Sequence, residues 1–351
     1  MQRPNKDDDR AWHAYWEAQD QPWRTEPEID SERQQYLDEH LTVKEREWER
    51  YPFKDIVLDR ADVEWLLANY ADGRRFAEQS YQLLHKRSGL DLRGVDLRKV
   101  DLHGLRLQGV DLYNAHLEGT DLSGAHLEGS NLSGAFFTSV TNLKGVHFGN
   151  EKSGFVLLAG VRWSDVDLSV VDWTQMNILG DEYQARRREK ENGEAKDSAT
   201  RLEEYRTAVR ANRQLAVALQ GEGLNEEAAR YAYRAQRLQR VVLRLQRKLG
   251  QYLFSWFLDL LVGYGYRPGR TLFWYLAVIL GFALTFFAFG HLPPLEAFIF
   301  SLTSFHGRGF FPGSTLYLND TRVILAAFEA VVGLLIEASL IATFTQRFIG
   351  K

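Results

Sequence analysis

The sequence predicts a multidomain chain in which a β-solenoid is joined to an α-helical membrane domain. Three observations carry this reading. Leucines recur every five residues from Leu92 to Leu132. Residues 271–290 and 323–344 are apolar runs long enough to cross a bilayer. Between the repeat and these runs, the apolar spacing turns helical and the charge density rises. The expected divisions are a charged helical cap (1–88), the solenoid (89–180), a charged linker with a helical hairpin and interfacial helix (181–262), and a two-span domain (263–351).

The 351 residues carry a net charge of −4, which lacks the basic excess of a nucleic-acid binder, so no nucleic-acid partner is expected. There is no cysteine, which excludes disulfides, thiol catalysis and Cys-ligated metals. The opening MQRPNKDDDR is polar, so no cleaved signal peptide is expected and the N-terminal bulk is placed in the cytosol.

In the lead-in, Trp12, Trp16, Trp23, Trp48 and Trp65 stand among dense charge. DRADVEWLLANYADG reads as a helix capped by Asp59, with Val63, Leu66, Leu67 and Tyr70 on one face and Gly73 at its end. The segment is expected to shield the first layer of the solenoid, with partner binding by exposed tryptophans as the alternative. His13, His40 and His85 lack metal-ligand spacing.

From residue 89 the frame is strict. Leu92, Leu97, Leu102, Leu107, Leu112, Leu117, Leu122, Leu127 and Leu132 lead into Phe137, and a small or branched residue stands two before each. A glycine commonly stands two after, as at Gly94, Gly104 and Gly119. A period of five matches neither helix nor flat strand. It fits a coil in which each unit makes one side, the leucine points inward, and the glycine turns the corner. The frame slips by one after Phe137 and resumes at Leu143, Phe148, Leu158, Trp163, Leu168, Trp173 and Ile178, with residues 150–154 expected to bulge. The pattern resembles the pentapeptide-repeat family, which implies a right-handed quadrilateral β-helix. Some members mimic DNA with an acidic rod. Here Arg93, Arg98, Lys99 and Arg106 alternate with Asp91, Asp96 and Asp101, so a solvated scaffold or docking rod for a cytosolic protein partner is expected instead. His103, His116, His126 and His147 look dispersed, and neither a metal nor any other cofactor is expected.

ARRREKENGEAKDSA reads as a solvated or flexible link. Two helical patterns follow: Leu202, Tyr205, Val209, Leu215 and Leu219, then Leu224, Ala228, Tyr231, Ala232, Ala235 and Leu238, separated by GEG. The pair resembles one tetratricopeptide-type unit, or it is a plain hairpin on the solenoid. The second helix turns basic and then aromatic at Phe254, Trp256 and Phe257, as a helix settling on a membrane interface does.

Lys248, Arg267 and Arg270 precede the first span, and Arg347 and Lys351 follow the second. The positive-inside rule then puts both termini in the cytosol. Between the spans, PPLEAFIFSLTSF starts with Pro293 and Pro294 and is too short to cross, yet too apolar for a water-exposed loop. A short helix that enters the membrane and returns, enclosed by protein, resolves this. With Gly307, Arg308, Gly309 and Pro312 after it, the arrangement resembles the two-helix potassium-channel superfamily. The resemblance implies a homotetramer around one pore, Ser301, Thr303 and Ser304 in the pore helix, and Phe305, His306, Gly307, Arg308 and Gly309 at the filter. It also implies a gating hinge at Gly333.

The sequence departs from the family at Phe305, where a threonine is usual, and at Arg308, where an aromatic stands. Arg308 packs behind the filter against Glu329, or it lines the path and repels cations. Glu337 faces the cavity, or it contacts Ser339 or Thr343 of a neighbour. The expected function is therefore a tetrameric channel of a bacterial inner membrane for small inorganic ions, monovalent cations first. The alternatives are an anion channel lined by Arg308 and a non-conducting, membrane-anchored scaffold. No nucleophile, carboxylate pair or phosphate loop stands out, so no enzyme is expected.

Overall fold

From Asp91 onward the backbone pairs in parallel with itself one coil later. The bridges Asp91↔Asp111, Asp96↔His116, Asp101↔Asp121 and Arg106↔His126 join residues twenty apart, so four five-residue sides make one coil. Hydrogen bonds follow the same step: Leu92 N donates to Asp111 O at 2.8 Å, and Leu97 N to His116 O at 2.9 Å. Each side is so short that only its middle pairs. Among the described residues, continuous strand is confined to β1 (Phe136–Thr138) and β2 (Arg162–Ser164), paired in parallel with Phe136 opposite Arg162. These observations come from a computed structural model describing residues 3–5, 8–42, 51–69, 89–190, 193–265, 268–308 and 320–348.

Every leucine of the frame from Leu92 to Leu132 is buried, and Phe137 with them. Thr120 and Ser130 occupy inward positions yet leave no orphan hydroxyl. Thr120 Oγ1 donates to Leu97 O, and Ser130 Oγ to Leu127 O, each at 2.7 Å. The corner residue two after each leucine is left-handed whether glycine or not: Gly104 has φ +67°, Lys99 +62° and Asn114 +55°. After Phe137 the step lengthens to twenty-one (Asp121↔Asn142), and beyond the turn at 150–154 it reaches twenty-six (Asn131↔Leu157). The extra residues leave the coil as a loop, and the inward series resumes at Leu158. At the far end the frame breaks. Leu179, not Ile178, is fully buried, because Gly180 opens a helix there and turns the chain.

Outward carboxylates near the start of the coil are paired with arginines. Arg93 holds Asp91 and Arg98 holds Asp96 through two side-chain bonds each. The Arg98 hydrogen bonds keep the Asp96 carboxyl below the usual aspartate range, with burial opposing them.

The chain divides into two units, Met1–Gln246 and Arg247–Lys351. In the first, α1 (Asp9–Ala18), α2 (Ser31–Thr42) and α3 (Arg60–Asn69) precede the coil. Asp59 and Asp62 cap the start of α3 reciprocally, Asp62 N donating to Asp59 and Asp59 N to Asp62. Leu37, Phe53, Leu58, Val63 and Leu66 share one apolar core with Leu90 and Leu92, which closes the first coil. Trp12, Trp16 and Trp65 are buried rather than displayed for a partner. Trp48, Tyr70, Gly73 and His85 lie outside the described residues. Glu64, fully buried, accepts from Thr25 N and Glu26 N at 3.0 Å and from Arg60 Nε at 2.9 Å, tying the lead-in to α3.

The other end is closed by α4 (Gly180–Arg186), α5 (Ser198–Gly221) and α6 (Asn225–Leu245). The charged link is anchored instead of free. Glu189 pairs antiparallel with Ala195, and Lys196 binds Glu204 and Gln184 O, each at 2.7 Å. Leu215, Leu219, Ala228 and Tyr231 share the buried core of the repeat coil, and Tyr231 meets Trp173 edge-on at 6.2 Å.

The second unit holds α7 (Leu249–Val262), α8 (Pro268–Ala288), α9 (Pro294–Phe305) and α10 (Thr321–Phe348). Two of these helices are long and apolar enough to cross a membrane: Gly269–Ala288 over 20 residues and Thr321–Ile341 over 21. Only 22% of each is buried, unlike the core helices of a soluble domain. Trp274 Nε1 donates to Leu260 O at 2.9 Å and Arg270 to Asp259 O at 3.1 Å, fastening α7 to α8.

Candidate functional site

The site is built around α9, which lies against both long helices. Pro293 and Pro294 fix its start, where a missing N–H costs nothing. Phe300 meets Phe286 of α8 edge-on at 4.7 Å, with Ala297 and Ala326 filling the same cluster. Lower down, Phe305 packs with Ile279 of α8 and Ile336 of α10. The Ser301 hydroxyl lies 2.8 Å from Ile279 O and is hydrogen-bonded to the Glu329 carboxylate, so one side chain joins α8, α9 and α10. Glu329 is fully buried, and its second oxygen has no hydrogen-bond partner. Ser304 Oγ and Thr271 Oγ1 share that condition.

The helix ends in a Schellman motif. Gly307 at φ +68° donates to Ser304 O, and Arg308 N to Thr303 O, both at 2.9 Å. The motif turns His306 toward both long helices. Its Nε2 is 3.0 Å from the Tyr275 hydroxyl of α8, and its Nδ1 meets the Glu337 carboxylate of α10. The result is a Tyr275–His306–Glu337 relay at the polar pole of α9. A phenol, an imidazole and a carboxylate in series can pass a proton or hold the pole in one arrangement.

Several expected placements change. Arg308 does not pair with Glu329: its side chain is exposed, whereas Glu329 faces Ser301, two turns back along α9. Glu337 reaches His306 within the same chain. Phe305 is buried among apolar side chains, while His306, Gly307 and Arg308 are exposed. Thr303 Oγ1 returns to Ile299 O and Phe300 O at 3.0 Å, within its own helix. Gly333 lies under the end of α9, and α10 runs unbroken through it. Gly309 and Pro312 lie outside the described residues. Tyr275 was not singled out from the sequence, although a phenol in an apolar span is the signal that finds it, because buried Tyr hydroxyls seek partners.

Residues 88–112 and 106–150 match pentapeptide repeats, with 8 copies. This segment carries pentapeptide repeats. Among solved structures, the chain is similar to HetL, a pentapeptide repeat protein involved in heterocyst differentiation regulation from the cyanobacterium Nostoc sp. strain PCC 7120. That likeness is 31% identical over 22% of this chain and 33% of that one, with a TM-score of 0.17. The chain thus spans about a third of the length of that structure. No curated protein matches. Pentapeptide repeats imply a β-helix, in keeping with the twenty-residue step of the bridges. The family match ends at residue 150, so the reading of α8, α9 and α10 rests on their own geometry.

Proposed function

We propose that the chain is one subunit of a tetrameric ion channel of a bacterial inner membrane. In this reading α8 and α10 cross the bilayer, α9 is the re-entrant pore helix, and the exposed residues from His306 to Arg308 lie at the filter. The pentapeptide repeats form a right-handed quadrilateral β-helix on the cytosolic side. One observation carries the reading: an apolar helix of 12 residues sits between two helices of spanning length and ends in exposed polar groups. At 1.5 Å per residue it reaches about 18 Å, well short of a bilayer. A membrane anchor needs no such helix, which weighs against a non-conducting scaffold. Lipid and neighbouring copies would cover the exposed Phe273, Leu280, Phe287 and Leu334.

Monovalent cations are favoured by the C-terminal pole of α9 and by Glu337 beside it. A second reading, anion conduction, draws on the exposed Arg308, since a ring of four would repel cations. Reversal potential in planar bilayers under a KCl gradient, with Arg308→Ala alongside, separates the two. A shift toward the potassium potential in both proteins supports the cation channel. A chloride-side reversal that Arg308→Ala abolishes supports the anion channel. Silence of a correctly assembled tetramer across voltage and pH would overturn both and leave the scaffold.

A further inference from the structure

Outward positions of the repeat coil stack vertically, so residues one coil apart in sequence become neighbours. His126 and His147 are bridge partners on successive coils, fixed by His147 N to Ala125 O at 2.9 Å and Leu127 N to His147 O at 2.8 Å. Their rings lie 4.6 Å apart at 12°. Glu128 stands two residues after His126, and residues two apart in extended chain share a face. Its Oε1 is 3.1 Å from His126 Nδ1, while its Oε2 is buried with no hydrogen-bond partner. On the next coil the position above Glu128 is Gly149, which offers no side chain to occupy that oxygen.

We infer that His126, Glu128 and His147 form a binding site for a divalent transition-metal ion of the zinc class on the outer face of the pentapeptide-repeat coil. One ligand atom from each lies within 4.8 Å of the others, and all three residues are half-buried. Zinc binds imidazole nitrogen and carboxylate oxygen at about 2.0–2.2 Å, which sets ligand atoms about 3.3 Å apart. Closing to that spacing takes turns about the side-chain bonds. The two near-parallel rings must tilt, since an ion lies in the plane of each ring it binds. A two-nitrogen, one-oxygen set suits zinc, copper(II) and nickel(II) over calcium or magnesium. It leaves a fourth position for water. Two ligands come from one coil and the third from the next, so the ion would clasp adjacent coils and raise their stability by mass action.

The chain contains its own control. His116 and Glu118 repeat the same His-Leu-Glu pattern ten residues earlier, yet the residue stacked on His116 is Phe136, at 4.7 Å and 12°. A phenylalanine is thus already accommodated at that place in the coil, and His147→Phe copies it. Isothermal titration of the full chain in detergent, after chelator treatment, with zinc chloride alone, tests the site. The wild type is expected to take up one saturable equivalent, weakened at least tenfold in His147→Phe and in Glu128→Gln and unchanged in His116→Ala. A wild-type isotherm without a saturable equivalent, one that His147→Phe and Glu128→Gln leave intact, or equal loss in His116→Ala would overturn the assignment.

Discussion

A methyl group added to Gly333 would stand 2.1 Å from the carbonyl oxygen of Phe305 and 3.0 Å from its ring. The obstacle is mainly backbone, at the capped end of α9, so no rotamer change relieves it. Gly333→Ala is therefore expected to push α9 off α10 and destabilise the second unit by about 1–3 kcal/mol, the usual range for overpacking. Thermal unfolding in detergent measures this. If Gly333 acted only as a flexible hinge, the alanine variant would keep wild-type stability and change gating alone.

Ser301 is the one described donor to the fully buried Glu329 carboxylate. Ser301→Ala removes it and leaves both oxygens unsatisfied, at an expected cost of about 1–3 kcal/mol. In a Glu329→Gln background the same serine change should cost a different amount, because the amide presents a different set of donors and acceptors to the serine hydroxyl. A double-mutant cycle on unfolding midpoints in detergent reads the difference, and additivity of the two changes would count against the link.

What could be read in advance follows from how each feature repeats. Leu92 through Leu132 were legible because a fixed period ties each position to the same environment, and the slip after Phe137 reappears as the change in bridge step. The stack of His126 on His147 was hidden, because the two look dispersed until the coil length is known. Once four sides make a coil, a separation of twenty-one across the slip places them together. In the second unit, helix lengths were plain from composition. Which carboxylate meets which partner was not, because it depends on helix rotation: Glu329 went to Ser301 and Glu337 to His306, leaving Arg308 exposed. The helix-ending role of Gly307 was masked by its place in a Gly-x-Gly.

Lys99 is held at φ +62°, in a corner where most repeats use glycine, and its side chain is exposed. Lys99→Gly removes a left-handed penalty of about 1–2 kcal/mol and adds about 0.5–1 kcal/mol of chain entropy to the unfolded state. A net gain of about 0.5 kcal/mol is expected in the denaturant midpoint. The reverse change at Gly104, φ +67° with open space around it, should lose about 1 kcal/mol as Gly104→Ala. A Lys99→Gly protein less stable than wild type would show that the lysine stem contributes more by packing over Gly119 than its backbone strain takes away.

The Asp96–Arg98 pair gives the repeat domain an acid limit. Asp96 has its carboxyl below the ordinary 3.8, first because Arg98 hydrogen-bonds it. A carboxylate lowered in the folded state favours folding above its unfolded value, and that contribution disappears as pH falls through the folded value. Unfolding midpoints should therefore decline from just above pH 4 downward, with no dependence on this pair near neutrality. Arg98→Ala removes the largest cause of the shift, so the variant should start lower at pH 6 and lose less on acidification. The two curves are expected to converge at the acid end, where Asp96 is protonated in both. Other lowered carboxylates, Asp167 and Asp172 among them, contribute equally to both proteins and cancel in the difference. Parallel curves from pH 6 to pH 3 would mean that the pair is geometrically formed but carries no stability.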